Sequence, residues 1–299
     1  MFAGLSAFPL TPITGNGIDE AAFAGLVRRL ADTGVDSISA LGSTGSCAYL
    51  NRAERARAAT IAVDNAGGVP VIVGVGAVRT RHVLAHIDDA QAAGASGLLL
   101  PAMTYQHLTD DEVFDLYADA AEFASLPIIV YDNPGTTHVD FSDELHGRIA
   151  RLDGIVSIKI PPVALDTAQA TARVARLRAL IPADVGIGVS GDEAGATGLL
   201  AGCETWYSAI AGTVPEPCLE ITRAAVGGNA EQARTCSDRM RPIWTLLRQY
   251  GSYRVAAAIA EYLGLVKGPS LPRPVQGLDP SGRRAVAMAL AEVGIRSVL

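Results

Sequence analysis

Residues 69–100 read VPVIVGVGAVRTRHVLAHIDDAQAAGASGLLL. An apolar run at Val69–Val73 and a second at Gly97–Leu100 flank a stretch that reads as helix, so the segment is a strand–helix–strand unit. Outward from it, similar runs recur at Leu5–Phe8, Val35–Ala40, Pro127–Tyr131, Ile155–Lys159, Val185–Val189 and Thr205–Ala209. Their starts are roughly 30 residues apart, nearer 20 at the last gap, which is about what one strand–helix unit needs. The first intervening segment carries Phe23, Leu26, Val27 and Leu30 on one helical face. Thr109 before Glu112, and more loosely Asn51 before Glu54, mark helix starts. Eight such units predict an α/β fold, a (β/α)8 TIM barrel, over residues 1–225. An open dinucleotide-binding sheet is disfavoured, because Gly74 and Gly76 in VGVGAV lack the third glycine of that fingerprint. Helical patterns at Glu216–Val226, Ala230–Gln249, Tyr253–Leu263 and Arg283–Val293 predict a C-terminal helical extension, residues 226–299. It adds three helices beyond the barrel's last one and packs on the barrel.

The chain has 299 residues, is 49% hydrophobic and 18% charged, and carries a net charge of −7. This composition suits a large buried core and disfavours nucleic acid or an anionic membrane as partner. No apolar run approaches the ~20 residues of a membrane span, and no signal peptide is evident. Four scattered cysteines without a C-x-x-C pair suit a reduced, cytoplasmic enzyme. Of 24 basic residues only Lys159 and Lys267 are lysines, so chemistry needing a side-chain amine has two candidates.

Lys159 lies in GIVSIKIPP. Strand alternation puts Ile155, Ser157 and Lys159 on one face and Val156, Ile158 and Ile160 on the other. If the aliphatic set faces the helices, Lys159 points into the barrel near its C-terminal mouth, where barrel enzymes keep their active sites. Lost hydration there favours the neutral amine and attack on a carbonyl. A surface lysine or a buried ion pair is the structural alternative. In LPIIVYDNPGTTH the same alternation turns Tyr131 inward at the end of the neighbouring strand, where a phenol can carry protons. The loop LGSTGS (Leu41–Ser46) offers glycine-flanked hydroxyls and N–H groups to an anion such as a carboxylate. His82 and His86 are read as surface histidines without a third metal ligand. Asp192 and Glu193 are read as complementing a helix dipole, with a role in orienting substrate as the alternative; His138 is read as a loop histidine, and Cys47 as a packing residue.

Gly42-Ser43-Thr44-Gly45-Ser46, Tyr131-Asp132-Asn133-Pro134 and Ile158-Lys159, in this order on these strands, resemble the dihydrodipicolinate synthase/N-acetylneuraminate lyase family. Its pattern is G-[ST]-T-G-E, Y-N-x-P and I-K. The resemblance extends through Val71–Gly76 and Ser190–Glu193 and covers essentially the whole chain. It implies a class I aldolase-type lyase in which Lys159 forms a Schiff base with pyruvate or another 2-keto acid. Tyr131 would transfer the proton, and Ser43 and Thr44, between Gly42 and Gly45, would hold the carboxylate. The lysine is the electron sink, so no metal or organic cofactor is implied. Tyr105 is a candidate for the family's intersubunit proton relay, and a homotetramer, a dimer of dimers, is implied.

Departures bear on the second substrate. Thr136 stands where lysine-biosynthetic synthases carry an arginine near that substrate's carboxylate, Ser46 replaces the usual Glu, and Asp132 the usual Asn. The leading expectation is carbon–carbon bond cleavage or condensation with an aldehyde or sugar-acid substrate in the pocket that includes Thr136. The alternatives are 4-hydroxy-tetrahydrodipicolinate synthase (pyruvate plus aspartate semialdehyde), a keto-deoxy-sugar-acid dehydratase, and a non-catalytic keto-acid-binding paralogue.

Overall fold

A computed structural model describes residues 2–15 and 17–296. Eight strands form in chain order: β1 (Gly4–Ala7), β2 (Ser37–Ala40), β3 (Val71–Gly74), β4 (Gly97–Pro101), β5 (Ile128–Tyr131), β6 (Ile155–Ile160), β7 (Gly186–Val189) and β8 (Thr205–Ser208). Each pairs in parallel with its sequence neighbours, and β8 pairs with β1 to close the barrel. This is the expected (β/α)8 architecture. A small antiparallel hairpin, Ile13–Thr14 with Gly17–Ile18, precedes the first helix; its two-residue strands are too short to leave a periodic signal.

The helices of the barrel are α1 (Glu20–Thr33), α2 (Arg52–Asn65), α3 (Thr80–Ala92), α4 (Asp110–Phe123), α5 (Asp143–Ile149), α6 (Thr167–Arg178), α7 (Gly195–Leu200) and α8 (Pro215–Val226). Phe23, Leu26, Val27 and Leu30 form the buried face of α1. Both capping boxes are present: Asn51 with Glu54 starts α2, and Thr109 with Glu112 starts α4. Each satisfies N-terminal donors that the helix itself cannot.

Beyond α8 four helices follow among the described residues, not three: α9 (Ala230–Arg239), α10 (Arg241–Tyr250), α11 (Ser252–Tyr262) and α12 (Pro280–Glu292). The expected single helix over Ala230–Gln249 is broken at Met240, because Pro242 occupies the first turn of α10 and has no N–H to continue the ladder. α9 packs on α8, while α10 reaches the turn after β7 and α11 the turn after β8. The extension therefore leans over the C-terminal mouth of the barrel. Ile243, Trp244, Val255 and Leu290 share one continuous apolar core with the barrel's strands and helices.

Inside the barrel, Phe8, Ile72, Leu99, Ile129, Tyr131 and Tyr207 form a second cluster. Buried hydroxyl pairs complete it, Ser6 with Ser39 at 2.8 Å and Ser157 with Tyr207 at 3.0 Å. The expected alternation of β6 needs one correction. Ile128 pairs with Ile155 but Ile129 pairs with Ser157, so Val156 is an extra residue in a bulge. Ile155 consequently joins the outer core and Val156 packs against the inner cluster, the reverse of the expectation. From Ser157 onward the expected faces hold.

Candidate active site

Tyr131 and Lys159 are register partners at the ends of β5 and β6. Both line a cavity of about 730 Å³ at the barrel mouth, with Ser43, Thr44, Asn133, Thr136, Asp192 and Tyr207 among its walls. The Lys159 ammonium nitrogen sits 3.9 Å from the Tyr131 ring centroid and 5.7 Å from that of Phe8. Lys159 is 4% exposed. Burial drives its pKa down to about 7, while Asp192 and Asp132 pull the other way. The backbone of Asp132 donates to the Lys159 carbonyl at 3.0 Å, extending the ladder one residue past the strand end.

The Tyr131 hydroxyl accepts from Asn133 Nδ2 at 2.8 Å and lies 2.9 Å from Ser43 Oγ. Since the amide only donates, the phenol is left able to give its proton to Ser43. Burial raises the Tyr131 pKa, opposed by these two bonds. Asn133, to which no role was assigned from the sequence, thus orients the phenol. It also donates to Thr136 Oγ1 at 3.2 Å.

The loop Leu41–Ser46 is bounded by two non-glycine residues in the left-handed region, Leu41 (φ 57°) and Ser46 (φ 61°). Gly42 and Gly45 give it room. A Cβ on Gly42 would lie 2.6 Å from the Phe8 ring, and one on Gly45 2.8 Å from the Leu41 nitrogen. Among the described residues, no backbone acceptor takes the N–H groups of Ser43 and Thr44. Ser46 Oγ lies 2.6 Å from the Tyr253 hydroxyl, tying the loop to α11. From below, a Cβ on Gly74 would come 2.0 Å from the Leu41 carbonyl oxygen. Gly74→Ala must therefore push the loop, and is expected to cost about 1–3 kcal/mol in urea unfolding. An unchanged midpoint would show that the loop yields freely.

Asp192 sits in the turn Asp192–Ala194 before α7 with its carboxylate buried, accepting from Ser208 Oγ at 2.6 Å. Burial lifts its pKa to about 6, against those hydrogen bonds and Lys159. It is buried in the wall of the cavity that Lys159 also lines, and its charge favours the ammonium there, so it complements a charge in the cavity and not only a helix end. Glu193 pairs with Arg248 of α10. Asp132 is buried behind the barrel wall, with Oδ2 3.2 Å from His146 Nε2.

Tyr105 does not join the cavity of its own chain and is 89% exposed. His138 and Lys267 are exposed. His86 is half-buried rather than superficial; burial and then the Arg55 charge lower it to about 4. Cys47 lines the cavity, but burial raises its pKa and so disfavours the thiolate. Among the described residues no cluster of three or more metal-ligating side chains is present. No helix there is long and apolar enough to cross a membrane.

The barrel and its likeness to known proteins place the chain among lyases of the class I aldolase type. Residues 1–293 match the Dihydrodipicolinate synthetase family. The chain is 31% identical over 303 residues to 4-hydroxy-tetrahydrodipicolinate synthase of Hyphomonas neptunium, covering 99% of this chain and 100% of the relative. It is 33% identical over 288 residues to the enzyme so named in Thiobacillus denitrificans, covering 94% and 93%. The crystal structure of dihydrodipicolinate synthase from Agrobacterium tumefaciens superposes with a TM-score of 0.94 at 41% identity, covering 98% of each chain. The chain belongs to the dihydrodipicolinate synthetase family.

Proposed function

We propose that the protein makes or breaks a carbon–carbon bond through a Schiff base between Lys159 and pyruvate or a closely related 2-keto acid. The observation that carries this is a buried lysine stacked over a phenol at the mouth of the barrel. The neutral amine attacks the keto carbon, and loss of water leaves an imine that draws electrons from the adjacent carbon. Loss of a proton from that carbon gives an enamine, which attacks the aldehyde carbon of the second substrate while the aldehyde oxygen takes up a proton; water then frees the product from the lysine, and cleavage is the same sequence reversed. Tyr131, held between Ser43 and Asn133, carries the proton. The N–H groups and hydroxyls of Ser43 and Thr44 receive the keto-acid carboxylate, in the turn that Gly42 and Gly45 permit. Thr136 belongs to the wall facing the second substrate.

A second reading, condensation of pyruvate with aspartate semialdehyde, is favoured by the names of the relatives above. At Thr136 itself it finds no guanidinium fork, so it would need a carboxylate partner elsewhere in the cavity. A coupled assay with aspartate semialdehyde decides between them. We further propose that residues 226–299 act as a unit completing the cavity wall. The exposed Tyr105 would meet a neighbouring subunit in a homotetramer, and a fully active monomer would remove it from the relay. The free, buried cysteines suit a reduced cytoplasmic setting.

The direct test is reduction with borohydride in the presence of pyruvate, followed by intact mass and peptide mapping. Modification at Lys159 is expected; no adduct, or one at Lys267, would overturn the reading. The rate of adduct formation should also rise with pH along a limb centred near 7, because only the deprotonated amine attacks and burial has lowered this one. Asp192→Asn removes a charge that favours the ammonium, so the limb should move to lower pH. A limb in the ordinary lysine range would contradict both statements.

A further inference from the structure

We infer that Arg248 binds a carboxylate on the far end of the second substrate, a deepening that rests on the reading above. Among the described residues lining the cavity, Lys159 and Arg248 are the two cationic side chains. Lys159 is committed to the keto carbon at the bottom, which leaves one guanidinium for any further anion.

Arg248 is held for such a task. Its Nη1 donates to Glu193 Oε1 and its Nη2 to Thr245 Oγ1 at 3.0 Å. A guanidinium has five N–H donors in a rigid fork, so donors remain after these two contacts. The side chain is half-exposed, on the cavity side of α10, where Trp244 and Leu247 of the same helix supply an apolar wall. Its location completes the argument. The Ser43–Thr44 loop follows β2, whereas α10 reaches the barrel at the turn after β7. In the closed order those strand ends lie on different sides of the mouth. One carboxylate can sit at the loop and another at Arg248 while the reacting carbons lie over Lys159. The arginine missing at Thr136 is thus replaced from a helix distant in sequence, and the substrate class becomes a carbonyl compound with a terminal carboxylate.

Two probes of equal length test this, 4-hydroxybutanoate and butane-1,4-diol, titrated by calorimetry into protein with and without pyruvate reduced onto it. The acid should bind at least about tenfold more tightly than the diol, the scale of one charge-assisted contact. Arg248→Ala should erase that difference and Arg248→Lys retain part of it. Glu193→Gln keeps an acceptor for the fork and removes a competing charge, so the acid should bind at least as tightly. The inference is overturned by equal binding of acid and diol, by acid binding that survives Arg248→Ala, by weakening in Glu193→Gln, or by no acid binding at millimolar concentration. Failure to trap pyruvate on Lys159 would instead sink the Schiff-base reading, and titration of the untreated protein still tests Arg248 independently.

Discussion

Replacing Lys159 by arginine is expected to lower turnover by at least about 10⁴-fold, the scale seen when a nucleophile is removed from an otherwise intact site. The reason is electronic. A guanidinium stays protonated at any working pH and offers no lone pair to a carbonyl, yet it keeps a positive charge opposite Asp192 and the Tyr131 ring. The fold should therefore survive while the chemistry stops. Borohydride reduction with pyruvate should leave the variant unmodified. Lys267→Arg, at an exposed loop position, should trap pyruvate as the parent does. Substantial residual turnover in Lys159→Arg would mean that another group performs the carbonyl chemistry.

Tyr131→Phe should separate imine formation from proton transfer. Deleting one oxygen keeps the ring under Lys159 and leaves Ser43 and Asn133 beside a cavity that water can enter. Stability should change by no more than about 1 kcal/mol. Turnover should fall about 10²–10⁴-fold, the usual worth of a positioned proton carrier. Pyruvate should still be trapped on Lys159, more slowly. Ser43→Ala leaves the phenol in place but removes its partner at 2.9 Å, and should give a smaller loss in the same step. Wild-type turnover in Tyr131→Phe would assign the proton to another group; Tyr49, Tyr207 and Tyr253 are the other phenols that line the cavity.

The barrel was legible because each strand is a short apolar run with its own helix, so the pattern repeats eight times. Lys159 and Tyr131 were legible because alternation fixes a side chain's face and parallel neighbours bring strand ends together. The rest of the site converges from elements with no common sequence period. Asp192 reads locally as a helix-start acid, and only the closure of the barrel brings it to the cavity that Lys159 lines. Arg248 lies on an amphipathic helix whose pattern reports a buried face, not what that face covers. Asn133 needed the actual turn after β5 to reveal its amide beside the phenol. The helix break at Met240 was, by contrast, present in the sequence as Pro242. Tyr105 is exposed and outside the cavity, so a single chain gives it no part in the site.

The extra residue in β6 has a consequence for how this enzyme tolerates change. In a strand, a slip of one position ordinarily turns every side chain over. At Val156 that slip is confined: Ile155 keeps one phase, and the segment from Ser157 keeps the other. The aim of Lys159 is set by the rungs Ile129–Ser157, Val130–Ile158 and Tyr131–Lys159, not by counting from the strand's start. Gain or loss of a residue in the connection between α5 and β6 can thus be taken up upstream, leaving the amine pointed inward. Lys159 is insulated from length drift in the chain behind it, so that connection is a natural place for the sequence to vary without turning the amine away from the cavity.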